Sequence, residues 1–237
     1  MYQIEISLSP LLYEHRAIKD NHIVVVVDIL RATTSICAAF AAGASMIVPL
    51  DSLEKLPQYR QMGYLLAAER NGEKIADAEY GNSPTEYRRS NLQGARLAYS
   101  STNGTVCLLK AQEADQVLVG CFSNLSAIAK KITQASQDVV ILCSGWKQEF
   151  SLEDTLFAGA LAERLMKSGT YEPSNDAVWM ALDLWHNAQT DIYRYCQKAS
   201  HVKRLQRLNY DNDIRFALTP DTSLIVPEMK DGVLVLQ

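Results

Sequence analysis

The chain has 237 residues, enough for one large domain or two fused lobes around a buried core. Its formal net charge of -4 gives no basic footprint for nucleic acid, so an anion bound here needs local arginines, helix N-termini or a metal ion. Five cysteines (Cys37, Cys107, Cys121, Cys143 and Cys196) without CxxC spacing read as reduced thiols of a cytoplasmic protein; no signal-peptide pattern opens the chain, and no apolar run approaches the ~18 residues of a membrane span.

The first strong signal is "HIVVVVDIL" at His22–Leu30, a near-continuous β-branched run. Such runs read as strands covered on both faces. It is followed by a helical pattern over Thr34–Gly43 and then by "ASMIVPL" at Ala44–Leu50, "GYLLAAE" at Gly63–Glu69 and "ARLAYSS" at Ala95–Ser101. A helix over Thr105–Ala114 leads to "DQVLVGC" at Asp115–Cys121, and one over Asn124–Ala135 to "DVVILCSG" at Asp138–Gly145. Further helices are expected over Leu152–Ser168 and, as one long element, over Ser174–Ala199. The long one carries Val178, Ala181, Leu182, Trp185, Ala188, Ile192 and Tyr195 at three- and four-residue steps, a core-facing stripe. "SLIVP" at Ser223–Pro227 and "GVLVLQ" at Gly232–Gln237 complete the expected strands. Alternating strands and helices imply a layered α/β fold. The segments from Thr34 to Leu50 and from Thr105 to Cys121 share a hydroxyl start, an apolar helix and a strand, a faint internal repeat.

Four expected strands end in polar turns. The first holds Asp28, Arg31, Thr33 and Thr34, and the second Glu69 and Arg70. The third, "SSTNGT" from Ser100 to Thr105, holds Ser101, Thr102, Asn103 and Thr105. The fourth, "CSGWKQEFSLED", carries Cys143, Lys147, Glu153 and Asp154. "YGNSP", with Asn82, is a turn by composition. Each has a structural reading: Asp28 and Arg31 as an ion pair, and Thr33, Thr34 or Ser101 as helix caps. Four such turns at strand ends converge in space, which favours a site. Arginines, hydroxyls and helix N-termini suit an oxyanion, while Asp28, Glu69, Glu153 and Asp154 would repel it without a cation. Hard oxygen ligands without a His or Cys cluster suit Mg2+. No GxxxxGK[ST] loop and no GxGxxG after the first strand are present.

The stretches "VDILRATTSI", "AERNG", "YGNSPTEY", "STNGT" and "GWKQEFSLEDTLFAGAL", in this order, resemble the 2-phosphosulfolactate phosphatase family, and "SHVKRLQRLNYDNDIRFALTPDTSLIVPEMKDG" adds a weaker match. The resemblance implies an Mg2+-dependent hydrolysis of (R)-2-phospho-3-sulfolactate to 3-sulfolactate and phosphate, on the route to coenzyme M. It also implies a three-layer α/β/α fold with mixed sheets. Residues 1–237 are then one phosphatase domain of two closely packed, similar α/β subdomains, in keeping with the repeat. Two departures are small. Ser101 stands where a threonine is common, and Asn209 where a glycine commonly ends a helix.

On this reading Asp28, Arg31, Glu69 and Arg70 are catalytic, and Asp28, Glu69, Glu153 and Asp154 are the metal ligands. Thr33, Thr34, Asn82, Ser101, Thr102, Asn103, Thr105 and Lys147 bind the small anionic substrate. Attack by water and attack by an Asp28 nucleophile both remain open, with water preferred. The alternatives are a phosphatase for another phosphorylated hydroxy acid, a cysteine phosphatase using Cys143, and a non-catalytic receptor for an anionic metabolite. "CSGWKQEF" lacks the arginine a cysteine phosphatase loop requires. The four histidines read as surface or structural groups, and Asp211 and Asp213 as solvated turn acids. No nucleic acid or membrane partner is expected, and a homodimer is left open.

Overall fold

The computed structural model describes residues 1–147 and 149–237. The chain begins with β1 (Tyr2–Ser7), α1 (Pro10–Tyr13), β2 (His22–Val27), α2 (Ala32–Ala41) and β3 (Met46–Pro49). There follow α3 (Leu56–Gln61), β4 (Leu65–Arg70), β5 (Glu73–Lys74), α4 (Pro84–Arg89), β6 (Arg96–Ser100) and α5 (Gly104–Ala111). Next come β7 (Gln116–Gly120), α6 (Leu125–Ala135), β8 (Asp138–Cys143), α7 (Leu152–Lys167) and β9 (Tyr171–Pro173). The chain closes with α8 (Asp176–Ala188), α9 (Ile192–Cys196), α10 (Ser200–Arg207), α11 (Asp211–Ala217), β10 (Glu228–Lys230) and β11 (Val233–Val235).

All eleven strands among the described residues join one mixed sheet, in the order β5-β4-β6-β3-β11-β10-β7-β2-β8-β1-β9. The β-branched run of β2 lies near the middle of a parallel block, Val25 pairing with Leu118 of β7 on one side and Ile141 of β8 on the other. All six β2 residues are buried, which requires cover on both faces; helices supply it, as the α/β expectation holds. Each buried valine of this strand contributes about 1.5–3 kcal/mol relative to exposure.

A second parallel block, β4-β6-β3, is joined to the first by the C-terminal hairpin β10-β11, antiparallel to both β7 and β3. The two blocks therefore run in opposite directions. Strand twist of about 20–25° per step, over the five steps from β2 to β6, accumulates to roughly 100–125° and swings their C-terminal ends toward each other. The two units singled out in the sequence interlock across this hairpin. One runs from β2 through α2 to β3, the other from β6 through α5 to β7, each starting in one block and ending in the other.

The long helix expected over Ser174–Ala199 is broken. α8 ends at Ala188, and the Asp191 side chain accepts the Arg194 N–H (2.9 Å) to start α9. The apolar stripe continues across the break, with Val178, Trp185 and Ile192 all buried, so the periodicity marked the buried face and missed the new cap. "SLIVP" is not a strand. Its Ile225 carbonyl instead accepts from Asn124 Nδ2 (2.9 Å) and its Pro227 carbonyl from the Val119 N–H (2.9 Å), and β10 begins just after it. α7 and α8 cross closely: a Cβ at Gly159 would lie 2.1 Å from the Ala181 carbonyl oxygen, so only glycine fits. Asn209, after α10, takes φ +63°, the left-handed conformation that Asn tolerates.

Candidate active site

The turn after β2 is built by its own side chains. Thr33 Oγ1 accepts the Asp28 N–H (3.1 Å) and donates to the Asp28 carbonyl (2.9 Å), while Thr34 Oγ1 donates to the Ile29 carbonyl (2.8 Å). The turn after β6 repeats the device, Thr105 Oγ1 donating to the Ser101 carbonyl (2.9 Å) and Ser101 Oγ accepting the Thr105 N–H (3.1 Å). A Cβ at Gly104 would fall 2.5 Å from Ala32 Cβ and 2.9 Å from Asp28 Oδ2, so α5 begins directly against the β2 turn. That contact brings the ends of the two blocks together.

Around it lies a narrow cleft lined by Asp28, Leu30, Arg31, Glu69, Gly72, Asn82, Thr102, Asn103, Trp146, His201, Arg204 and Leu205. Six of the residues expected from sequence are therefore gathered: Asp28, Arg31, Glu69, Asn82, Thr102 and Asn103. Glu69 is held at both oxygens, Oε1 by the Thr102 N–H (2.6 Å) and Oγ1 (2.9 Å), and Oε2 by the Gly72 N–H (2.7 Å). Asn82 accepts a hydrogen bond from the Tyr99 hydroxyl.

Arg31 is buried and does not pair with Asp28. Its Nη1 donates to Asp213 Oδ2 (2.8 Å) and its Nη2 to the Gly72 carbonyl (2.6 Å), and its guanidinium lies 3.9 Å over the Tyr210 ring. Asp213, expected as a solvated turn acid, is 1% exposed and also accepts from Ser83 (2.8 Å) and Thr85. The acidic tail thus reaches the site by anchoring a guanidinium.

The remaining expected residues stand outside the cleft wall. Thr33, Thr34, Ser101 and Thr105 spend their hydroxyls on the turns. Arg70 donates to the Glu69 carbonyl (2.6 Å) and Ser100 Oγ (3.0 Å), tying β4 to β6. Lys147 is exposed, its Nζ 5.8 Å from the Trp146 ring centre. Asp154 lies beneath the strand ends. Its Oδ1 accepts the Ile29 N–H (2.9 Å), and its Oδ2 accepts Ser144 Oγ and the Gly145 N–H, both at 3.2 Å. Burial, with the charges of Asp28 and Glu153, pushes its carboxyl well above the ordinary range. Glu153 sits behind the wall and meets His201 Nδ1 through Oε1 at 3.0 Å. Burial pushes the Glu153 carboxyl up, but the hydrogen bond and charge of His201 outweigh it and leave the carboxyl below its usual value.

Of the six cleft residues outside the expected set, three carry an aromatic ring or a guanidinium: Trp146, His201, read from the sequence as a surface or structural group, and Arg204. The last two share one face of α10 with Leu205, at i, i+3 and i+4, a spacing that marks a common surface. Arg204 stacks 3.9 Å over Trp146, whose ring centre lies 5.4 Å from that of His201.

Burial pushes the Asp28 carboxyl up to about 6; Glu69 and Glu153 add to the shift, while the Ala32 N–H and His201 oppose it. A perturbed acid in a cleft is a functional signature. Among the described residues no three His, Cys, Asp or Glu side chains are clustered to form a metal cage. The donor set nevertheless fits a hard divalent cation held by one or two carboxylates. Asp28 and Glu69 face one cleft, Asp28 Oδ2 receives no hydrogen bond among the described residues, and their like charges need a counterion. Burial and Asp154 push the Cys143 thiol well up, which makes it a poor nucleophile.

Carboxylates facing one buried and one half-buried guanidinium group at the strand ends of an α/β sheet form the kind of centre that handles oxyanions of small molecules, as phosphoryl-transfer enzymes do. A family model described as 2-phosphosulpholactate phosphatase matches residues 8–232, and the chain belongs to that family. It is 37% identical over 223 residues to a protein of Caldanaerobacter subterraneus, covering 92% of both chains, and 34% identical to one of Thermotoga maritima, covering 90% of this chain and 91% of that one. A Picosynechococcus protein is 36% identical over 89% of each chain, and all three bear the name "Probable 2-phosphosulfolactate phosphatase".

Proposed function

We propose that this protein hydrolyses the phosphate monoester of (R)-2-phospho-3-sulfolactate, releasing 3-sulfolactate and inorganic phosphate with Mg2+ as cofactor. The observation that carries the reading is the perturbed carboxyl of Asp28 in a cleft shared with Glu69, Arg31 and Arg204. The family and the names of its relatives supply the substrate.

Asp28, through Oδ2, and Glu69 would hold Mg2+. The ion supplies charge neutralisation at the phosphoryl oxygens. Arg31 is pre-aligned by Asp213, Gly72 and Tyr210 and presents a fixed planar donor to the charge that grows on the equatorial oxygens. Arg204 brings a second positive charge for an anionic substrate. His201 lines the cleft with its Nδ1 3.0 Å from Glu153 Oε1, a contact that fixes the orientation of the ring. That ring donates the proton the departing alkoxide needs, a role worth about 10²–10⁴ in rate. Attack by water is preferred to attack by Asp28.

The cleft has free space of only about 20 Å3, room for roughly one water. Substrate binding therefore requires the cleft walls to widen.

The test is phosphate release from a panel of small organophosphates, including 2-phosphosulfolactate and 2-phospholactate, with Mg2+ and with chelator. Mg2+-dependent release that favours the sulfonated ester is expected. Binding without release would replace the enzyme with a receptor.

A further inference from the structure

α2, α4 and α11 surround a second cavity of about 460 Å3 that shares no lining residue with the Asp28 cleft. α2 contributes only small side chains to its wall, Cys37, Ala38 and Ala41, opposite the ring of Phe216 from α11. Its size lies in the range of small-molecule sites. Two guanidinium groups reach its wall, Arg88 from α4 and Arg215 from α11, and no lining residue is acidic among the described residues. Arg215 is partly engaged, with Nε on Asp211 Oδ2 (2.8 Å) and Nη2 on the Tyr193 hydroxyl (2.9 Å). Arg88 has no acid partner among the described residues, and its guanidinium carbon lies 5.7 Å from the Phe216 ring centre.

We propose that this cavity binds a small amphipathic organic anion, its acid group on Arg88 and Arg215 and its apolar body against Ala38, Ala41 and Phe216. Positive charge without lining acids selects an anion. The alanines and the aromatic ring select one with an apolar body, so inorganic phosphate alone fills the site poorly.

The occupant also acts on the Asp28 cleft. Thr85, in the cavity wall, donates to Asp213 Oδ1, and Asp213 Oδ2 holds Arg31 at 2.8 Å. Asp213, Arg215 and Phe216 belong to the same short helix, α11, so a ligand that engages the last two changes how firmly Arg31 is held. This coupling rests on the phosphatase reading; the binding does not.

The probe is 8-anilinonaphthalene-1-sulfonate, a sulfonated aromatic whose fluorescence rises on entering an apolar site, titrated into the full-length protein. Saturation at one site per chain is expected. Arg88→Ala should weaken it at least tenfold, and Ala41→Trp, which fills the cavity, should abolish it. Both positions are exposed, and unchanged thermal midpoints check the fold. Undiminished binding in both variants would overturn the site. With 2-phosphosulfolactate as substrate, saturating probe should change KM at least twofold in the wild type and not in Arg88→Ala. An unchanged wild-type KM with probe bound, or inhibition that persists in Arg88→Ala, would overturn the coupling. Absence of turnover without probe would count against the phosphatase reading while leaving the titration intact.

Discussion

Replacing Arg31 by lysine separates a need for charge from a need for geometry. The guanidinium engages Asp213 at 2.8 Å and the Gly72 carbonyl at 2.6 Å while lying 3.9 Å over Tyr210. A lysine keeps the positive charge, but one ammonium nitrogen cannot serve both acceptors and lie flat on a ring. Kept on Asp213, it loses the bond to Gly72, at about 1.5–3 kcal/mol for a charged donor. At about 2–4 °C per kcal/mol for a chain of this size, a loss of ~2 kcal/mol lowers Tm by roughly 4–8 °C. Catalysis should suffer more, because the planar donor is also the group aimed at the phosphoryl oxygens. Losing about 2.7 kcal/mol of transition-state stabilisation lowers kcat/KM roughly 100-fold. Phosphate-release kinetics and thermal unfolding by circular dichroism measure the two effects on one preparation. A kcat/KM within about threefold of wild type would show that charge alone suffices and would remove Arg31 as a planar clamp.

Asp28→Asn should abolish turnover yet stabilise the metal-free protein. The raised carboxyl is neutral at low pH and must ionise at a cost as pH passes about 6, so its favourable contribution is present below the ordinary 3.8 and lost above about 6. In chelator, Tm of the variant should exceed that of wild type at pH 8 and converge with it at pH 4. A variant less stable at pH 8 would contradict the buried-charge argument. His201→Gln should lower kcat on an alkyl phosphate by roughly 100-fold and much less on 4-nitrophenyl phosphate, whose leaving group needs no proton. Equal losses on both substrates would assign His201 a role other than acid. Cys143→Ser should keep most of the activity, because the thiol is buried and held protonated. An inactive but folded variant would revive a cysteine nucleophile.

The convergence of strand ends was legible because buried β-branched strands that stop at acids and arginines leave few alternatives for those side chains, and the structure places Asp28, Arg31 and Glu69 in one cleft. The hydroxyls have a structural use: Thr33, Thr34 and Thr105 are of the type that binds anions, and the same atoms close the turns that aim Asp28 and Ser101. Residue type does not separate these uses; a partner five or fewer residues away does. His201 and Arg204 reach the cleft, and Asp213 reaches Arg31, by tertiary docking of α10 and α11; Asp213 lies 130 residues from its partner Ser83, and no local pattern signals where those helices dock. In the fold, the β2 and β8 runs announced themselves by burial on both faces. β1 and β9 form the far edge and are shorter or more mixed in polarity, Glu5 of β1 accepting the Ala17 and Ile18 N–H groups.

The central claim is that the cleft around Asp28 hydrolyses a sulfonated phosphate monoester. It is tested most directly by inorganic phosphate released from (R)-2-phospho-3-sulfolactate by wild-type protein and by Asp28→Asn, each with Mg2+ and with chelator. Catalytic release by the wild type with Mg2+ alone, and none by the variant, is the predicted result. Release by Asp28→Asn at the wild-type rate would move the chemistry away from this cleft.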